Sequence, residues 1–343
     1  MRLPGIAPEA VGDWLVEHVP ELRPPLEFGL ITGGRSNLTY QVVDADGRML
    51  VLRRPPVGGV LSTAHDMHRE WRFLTALRGT EVPVPEPVAY CADSAVSGAE
   101  FYVMEHVTGT VLADAAAAEE MSPQQRYRAG MATAECLAAL HSIDPDEVGV
   151  ATAGRRGGYL QRQLARWQRQ VHQSGAANLD LLDRVHDALL TRVPQQERTI
   201  VHGDFRPGNI SYAPDGNVRA VFDWELATCG DPLADLGWLV ASWQQPGDGS
   251  PPVTATPSAL TGFPSREELI ARYTELSGRD VSELPYYVAF QRWRAACISA
   301  GVRARYEAGV MGDDGFSAQL REQHEVELAE AAWREVRALH LTG

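Results

Sequence analysis

The segment VHGDFRPGNI, residues 201–210, is the most informative part of this sequence. Two glycines and a proline interrupt it, so neither a regular helix nor a regular strand is expected there. The segment nevertheless carries a carboxylate, Asp204, and a carboxamide, Asn209, five positions apart. Polar side chains on a kinked loop suggest a reactive site, and the meaning of this one depends on what the fold places beside it.

A second segment supplies the missing partner. The apolar strand VRAVFD ends at Asp223, and the turn PDGN joins it to the strand ISYA, which directly follows Asn209. This hairpin predicts that Asp204, Asn209 and Asp223 converge, although Asp223 alone would suit a turn or a helix cap. Oxygen ligands of this kind suit Mg²⁺, and a carboxylate beside a substrate hydroxyl can accept its proton.

The spacing H-x-D-x-x-x-x-N, followed by a strand ending in Asp, is typical of phosphoryl-transfer sites. We therefore predict Asp204 as catalytic base, with Asn209 and Asp223 as Mg²⁺ ligands. His202 is expected to hold the loop by hydrogen bonds, and Asp235 to support it from behind.

The first hundred residues are predicted to form strands around one helix. LEFGLI (26–31), LTYQVV (38–43) and RMLVLR (48–53) read as strands, and a helix is predicted at about 63–78. FYVMEHV (101–107) reads as a further strand. The boundaries expected are a nucleotide-binding lobe at 1–105, a hinge at 106–110 and a helical catalytic lobe at 111–343.

A Gly-Gly turn lies between the first two strands, where backbone N–H groups can cover the phosphates of ATP. A plain hairpin is the alternative interpretation of this turn. The nucleotide-binding residues predicted here are Gly33, Gly34, Arg35, Ser36 and Asn37.

Arg53 is the candidate cation for the phosphates, because it alternates with apolar residues on one face of its strand. In the helix that follows, Glu70 falls within the apolar face. A carboxylate in that position is costly unless it is paired, so a buried Arg53–Glu70 pair is predicted. A Glu70 side chain that reaches water is the alternative.

The strand FYVMEHV is predicted to cross between the lobes. Its end at Met104, Glu105 and Val107 can offer the Glu105 C=O and the Val107 N–H and C=O to an adenine edge. Backbone hydrogen bonds leave no side-chain signature, so an ordinary strand end is the alternative.

The later part of the chain is predicted to be mainly helical and to enclose a small-molecule acceptor. Only six residues separate Trp224 from Asp231, which leaves no clear activation loop of the protein-kinase type. Arginines near the C-terminus are candidates to bind an anionic acceptor, and a solvated helix face is the alternative. These are Arg292, Arg294, Arg303 and Arg305.

The segments GGRSNLTY, VLRRPP, FYVMEHVTG, HGDFRPGN and FDWE, together with Glu70, resemble the aminoglycoside phosphotransferase and choline kinase superfamily. The resemblance covers nearly the whole chain. It implies an α+β, bilobal, protein-kinase-like fold, with Asp204 as base, Asn209 and Asp223 holding Mg²⁺, and Glu70 as partner of the strand cation. Many relatives carry lysine where Arg53 stands, and arginine is not interchangeable with lysine.

A closer resemblance is to the kinase-like domains joined to acyl-CoA dehydrogenases in some animal proteins, and to their free-standing bacterial relatives. It rests on three segments and implies a hydroxyacyl-CoA-type acceptor. The segments are VLRRPPVGGVLSTAHDMHREWRFLTAL, GYLQRQLARW and YYVAFQRWRAACISAGVRARYEAG.

Composition limits the possible partners. The formal net charge of −14 argues against nucleic-acid binding, and it would suit an amine-rich acceptor such as an aminoglycoside. All basic residues are arginines, without a lysine in the sequence. Scattered cysteines and the lack of a signal peptide or long apolar run predict a cytoplasmic protein away from membranes, as a monomer or homodimer.

The resulting prediction is an ATP- and Mg²⁺-dependent kinase acting on a small-molecule hydroxyl. Two other classes remain open. A catalytically silent nucleotide-binding module would explain the absence of lysine, but it needs no base. A metal-dependent phosphohydrolase would use His202, Asp204 and Asp223, but it does not explain the Gly-Gly turn or Glu70.

Overall fold

The computed structural model describes residues 3–31, 37–57, 66–151, 158–309 and 317–341. The predicted nucleotide-binding residues Gly33, Gly34, Arg35 and Ser36 lie outside these ranges. The fold is mixed α and β, with an antiparallel sheet in the first third and helices dominating the rest, as the sequence predicts.

The N-terminal sheet has the order β1-β2-β3-β5-β4, and its neighbouring strands are all antiparallel. Its strands are β1 (Glu27–Ile31), β2 (Leu38–Val43), β3 (Met49–Arg54), β4 (Pro87–Cys91) and β5 (Phe101–Glu105). The proline-rich β4 forms an edge of the sheet, where a missing backbone donor is tolerated. The register pairs Arg53 with Tyr102, which places the candidate cation beside the middle of β5.

Alternation along the strands gives the sheet two apolar faces. Tyr40, Leu50 and Leu52 pack on one face against Val11 and Leu15 of helix α1 (Pro8–His18), which the sequence analysis did not predict. The opposite face packs against helix α2 (Met67–Leu77) and carries Arg53. This helix begins later than predicted, because the Asp66 side chain accepts a hydrogen bond from the Arg69 N–H and caps it.

Helices form most of the remaining chain. They are α3 (Ser94–Ser97), α4 (Ala115–Ala118), α5 (Pro123–Ser142), α6 (Tyr159–His172), α7 (Leu179–Thr191), α8 (Pro232–Ser242), α9 (Arg266–Ser277), α10 (Leu284–Glu307) and α11 (Ala318–Ala338). Capping boxes begin two of them, at Ser122 with Gln125 and at Ser265 with Glu268.

The long helix α10 runs through the centre of this helical part, packing against α6, α7, α8 and α11. Two short antiparallel sheets lie beside it. One contains β6 (Thr110–Val111), β8 (Ile210–Tyr212) and β9 (Val218–Val221), and the other contains β7 (Thr199–Val201) and β10 (Thr228–Gly230). These short strands hold the segment 201–210 in place. Among the described residues, no helix is both long and apolar enough to cross a bilayer.

Candidate active site

The loop from His202 to Asn209 leaves β7 and returns into β8, so both its ends are fixed by strands. Gly203 adopts a φ of +89°, and a Cβ added there would lie 2.8 Å from the Leu226 Cβ. Left-handed backbone and the close approach of Leu226 both require glycine at this position. The backbone conformation at Gly203 therefore determines the shape of the loop.

Asp204 and Asn209 meet directly within the loop. The Asn209 Nδ2 group donates to the Asp204 Oδ2 atom at 2.8 Å and to the Asp204 carbonyl oxygen at 2.9 Å. Two acceptors facing the same amide group assign it as nitrogen, so the Asn209 Oδ1 atom is left for another ligand. The Asp204 Oδ1 atom is buried and has no hydrogen-bond partner among the described residues. This free oxygen suits a base that receives a hydroxyl proton.

Asp223 lies beside Asn209 because β8 and β9 are paired. The Phe222 N–H donates to the Asn209 carbonyl oxygen at 2.8 Å, and Asp223 follows in a left-handed conformation with a φ of 67°. That conformation is costly for a side chain other than glycine and is frequent at functional positions. The hairpin thus brings the backbone before Asp223 next to Asn209.

The donors of Asn209 and Asp223 fit a hard cation such as Mg²⁺, since they offer an amide oxygen and a carboxylate without a nearby thiol or imidazole ligand. His202 is not such a ligand. Its Nε2–H donates to the Phe222 carbonyl oxygen at 2.8 Å, and its Nδ1 atom accepts from the Asp204 N–H at 3.2 Å. Both ring nitrogens therefore hold the backbone, which removes the main feature of the phosphohydrolase alternative.

Arg53 reaches the same site from the N-terminal sheet. Its Nη2 atom lies 2.5 Å from the Asp223 Oδ1 atom, and its Nε atom lies 3.3 Å from the Glu70 Oε2 atom. Burial opposes the charge on Arg53, yet the carboxylates of Asp223 and Glu70 outweigh burial and hold the pKa of Arg53 well above its ordinary value. The arginine remains a cation at the cleft.

Glu70 is fully buried and is not a side chain that reaches water. It accepts hydrogen bonds from Asn37 Nδ2 at 3.0 Å and from Tyr102 Oη at 2.8 Å, in addition to its contact with Arg53. Burial raises the pKa of Glu70 above its ordinary value, although Arg53 opposes this rise. Two hydrogen-bond donors and the nearby Arg53 charge thus compensate the buried Glu70 carboxylate.

Two residues of the candidate site, Tyr102 and Glu225, were not predicted from the sequence. Tyr102 supports Glu70, and Glu225 accepts a hydrogen bond from Asn37 Nδ2 at 3.1 Å and lies 3.8 Å from Arg53. Glu225 belongs to the segment FDWE, so its position two residues after Asp223 was the available signal. Tyr102 had no local signal, because its role arises from pairing between distant strands.

Asp235 supports the loop backbone from α8. Its two carboxylate oxygens accept the His202 N–H at 2.6 Å and the Gly203 N–H at 2.8 Å. From α10, Arg294 Nη2 donates to the Gly203 carbonyl oxygen at 2.8 Å. The loop is thus held from two sides next to Asp204, and Asp235 lies where the sequence prediction requires.

The predicted adenine-binding edge lies at the end of β5. Met104 is buried, and the Glu105 N–H donates to the Glu86 carbonyl oxygen at 2.9 Å. The Val107 N–H and C=O make no hydrogen bond to any residue that the structure describes. These two backbone groups therefore remain available to a ligand.

The C-terminal arginines proposed for the acceptor are placed differently from the prediction. Arg292 is buried and contacts Glu335 at 2.7 Å and the Pro251 carbonyl oxygen at 2.9 Å. Arg303 is buried against Glu325 and Glu307. Because carboxylates already occupy these guanidinium groups, the structure argues against an acceptor role for both. Arg305 is exposed on α10.

A buried arginine–glutamate pair facing a loop with a free carboxylate, an amide and a second carboxylate is the arrangement of phosphoryl-transfer enzymes. Comparison with known proteins agrees with this class. Residues 27–269 match the model of the phosphotransferase enzyme family, abbreviated APH. The chain belongs to that family and is a small-molecule kinase by class.

Two relatives illustrate the similarity. Acyl-CoA dehydrogenase family member 11 of Gallus gallus is 37% identical over 289 residues, covering 81% of this chain and 36% of that protein. Acyl-CoA dehydrogenase family member 10 of Mus musculus is 33% identical over 316 residues, covering 90% and 29%. The chain therefore spans only about a third of these relatives' length.

A crystal structure from Ralstonia eutropha, provisionally described as an aminoglycoside phosphotransferase, is 31% identical and has a TM-score of 0.80. The match covers 96% of this chain and 98% of that one. The architecture of the whole chain is therefore that of a phosphotransferase.

Proposed function

We propose that this protein transfers the γ-phosphoryl group of ATP to a hydroxyl group of a small molecule, using Mg²⁺. The observation that carries the proposal is the Asp204 Oδ1 atom beside Asn209 and Asp223, which is buried and has no hydrogen-bond partner in the described part of the chain. A passive nucleotide-binding module has no use for such an oxygen. In a kinase it accepts the proton of the attacking hydroxyl.

Each group then has a role in positioning or charge. Asn209 Oδ1 and Asp223 would hold the cation, which neutralises the phosphate charge that develops during transfer. Arg53 would exchange part of its contact with Asp223 for the nucleotide phosphates, while Glu70 keeps its guanidinium oriented. The main-chain groups of Val107 would bind the adenine edge.

The turn at residues 33–36 is proposed to cover the phosphates, with Asn37 fixing its end. Asn37 Nδ2 donates to both Glu70 and Glu225, so the residue that follows the turn is tied to the Arg53 site.

Two acceptor classes remain within this proposal. The similarity to acyl-CoA dehydrogenase family members 10 and 11 supports a hydroxyacyl-CoA-type acceptor, and the description of the Ralstonia eutropha protein supports an aminoglycoside. We place the hydroxyacyl class first, because the two acyl-CoA dehydrogenase family relatives are 37% and 33% identical to the chain, against 31% for the Ralstonia eutropha protein.

The test is ATP consumption in the presence of Mg²⁺ with hydroxyacyl-CoA compounds, simple alcohols and aminoglycosides as acceptors. Asp204→Asn keeps the hydrogen bonding to Asn209 similar but removes the base, and should lower transfer by roughly 10²–10⁴-fold. Asp187→Asn, on an exposed residue of α7, is the control. Nucleotide binding by Asp204→Asn should persist. Transfer that is absent with every acceptor, or undiminished in Asp204→Asn, would contradict the proposal.

A further inference from the structure

Two arginines near the base loop have no carboxylate partner. Arg294 is buried in α10, and Arg166 lies on α6 with its side chain still accessible to solvent. Among the described residues, neither forms an ion pair with an aspartate or a glutamate. A chain with a net charge of −14 has ample carboxylates, so two uncompensated cations at one place require an explanation.

The two cations meet at one indole ring. The Arg166 Cζ atom lies 5.2 Å from the Trp167 ring centroid, and the Arg294 Cζ atom lies 5.5 Å from it. Arg294 is also 4.8 Å from the Trp238 centroid, so its guanidinium group lies near two indoles. Aromatic faces partly stabilise the cations, but they do not neutralise them.

Mutual repulsion confirms that these charges are neighbours. Partial burial lowers the pKa of Arg166, and the positive charges of Arg294 and Arg69 lower it further. Arg69 on α2 has a partial counter-charge, because Asp66 lies 3.6 Å away. Clustered like charges destabilise the empty protein, and an anion bound between them would relieve that cost.

Unused donors occur at the same place. Arg294 Nε, Trp167 Nε1 and Trp238 Nε1 are buried N–H groups with no acceptor among the described residues. Trp167 and Trp238 are 6% and 5% exposed, which makes unpaired donors unusual. The nearest supporting carboxylate, Asp235, already accepts the His202 and Gly203 N–H groups behind the loop.

Arg294 connects this pair of arginines to the loop that carries the proposed base. Arg294 Nη2 donates to the carbonyl oxygen of Gly203, and the next residue is the proposed base Asp204. This hydrogen bond connects the arginine pair to the backbone of the base loop, one residue before Asp204. Arg166 on α6 and Arg294 on α10 both belong to the helical part of the chain, which also contains the base loop.

We propose that Arg166 and Arg294, which both approach the Trp167 ring, form a subsite for an anionic group of the phosphoryl acceptor, a carboxylate or a phosphate. This inference rests on the proposed function and specifies its acceptor as a negatively charged hydroxy compound. Arg166 is the specificity residue, since it is accessible and has no described structural partner. Arg294 additionally positions the base loop.

The test compares Arg166→Gln with Arg169→Gln, an exposed arginine three residues further along α6. The acceptors are 3-hydroxybutyrate, its uncharged methyl ester, 3-hydroxybutyryl-CoA and kanamycin. Arg166→Gln should raise KM for an anionic acceptor by about tenfold or more, because one charged hydrogen-bonding partner is lost. KM for ATP should not change, and Arg169→Gln should resemble the wild type.

The two anionic acceptors distinguish the source of the charge. A KM increase confined to 3-hydroxybutyrate assigns the subsite to a carboxylate, and one confined to the CoA thioester assigns it to a CoA phosphate. Identical KM values in Arg166→Gln and Arg169→Gln for both anionic acceptors would overturn the inference.

A binding measurement separates this inference from the proposed function. Inorganic phosphate, compared with chloride at equal ionic strength, should raise the Tm of the wild type and of Arg169→Gln more than that of Arg166→Gln. If this difference is found but no acceptor is phosphorylated, the anion site stands and the kinase proposal fails. If transfer occurs without any dependence on Arg166, the kinase stands and the anion site is refuted.

Discussion

Arg53 Nη2 lies 2.5 Å from Asp223 Oδ1, which joins the third strand of the N-terminal sheet to the end of β9 across 170 positions of sequence. One guanidinium group thereby contacts a carboxylate from each side of the cleft, Glu70 on α2 and Asp223 beside the base loop. The contact explains how an arginine serves where many relatives use lysine. The longer side chain reaches the second carboxylate while its Nε atom stays near the first.

Replacing this arginine should therefore affect stability as well as activity. Arg53→Met leaves Glu70 and Asp223 without their shared cation and should lower the free energy of unfolding by about 3–5 kcal/mol. Added Mg²⁺ should restore more stability in Arg53→Met than in the wild type, because a second cation can then neutralise Asp223. Urea denaturation with and without Mg²⁺ measures both effects. Unchanged stability in Arg53→Met would show that the pair is not formed.

Gly203 offers a test of the loop geometry. Gly203→Ala should destabilise the protein by about 1–3 kcal/mol and reduce transfer, since the added Cβ meets Leu226 in a left-handed backbone. Gly47→Ala is the matched control, because Gly47 has a similar φ of +84° but no atom within 4 Å of an added Cβ. Thermal unfolding and steady-state rates distinguish the two. Equal effects of both variants would mean that backbone strain alone, without the Leu226 contact, accounts for the requirement for glycine at position 203.

The cation role of Asn209 predicts a change in metal dependence. Asn209→Ala removes the amide oxygen and should raise the Mg²⁺ concentration for half-maximal activity by about tenfold or more. Direct Mn²⁺ binding followed by electron paramagnetic resonance should weaken in parallel. Asn178→Ala is the control, since the Asn178 side chain makes no capping hydrogen bond. A loss of kcat at an unchanged metal requirement would instead indicate that Asn209 only orients Asp204.

Asp231 predicts a stability change with pH. Burial raises the pKa of this helix-capping carboxyl from 3.8 to about 6, although the Leu233 N–H lowers it. Between these two values the folded protein binds a proton that the unfolded chain releases, so the contribution of Asp231 to stability falls as pH rises from about 4 to about 6. Denaturation of wild type and Asp231→Asn across this range should show a difference that changes with pH. A constant difference would contradict the raised pKa.

The sequence was most informative where function is encoded locally. The loop 202–209 and the strand ending at Asp223 were predicted because their spacing alone implies a hairpin, and Glu70 was predicted from its place within an apolar helix face. The role of Tyr102 depends on a partner 32 positions away, so no local pattern indicated it. Arg294 was predicted as an acceptor-binding residue, but its contact with Gly203, 91 positions away, was not predicted.

The C-terminal arginines show the opposite case. On α10, a helix buried on most sides, the usual alternation of polar and apolar faces is lost, and charged residues pair inside the protein. Arg292 and Arg303 therefore resembled ligand-binding residues in the sequence although their carboxylate partners lie on α11 and, for Glu307, on α10 itself.

All eleven residues of α8 are buried, including Asp235 that holds the base loop. A helix without a water-facing side can exchange a side chain only by creating a cavity or by crowding its neighbours. The part of α8 that holds the base loop therefore tolerates few substitutions. New acceptors have to be accommodated by α6 and by the accessible surface around it, which can vary without disturbing the proton-accepting oxygen.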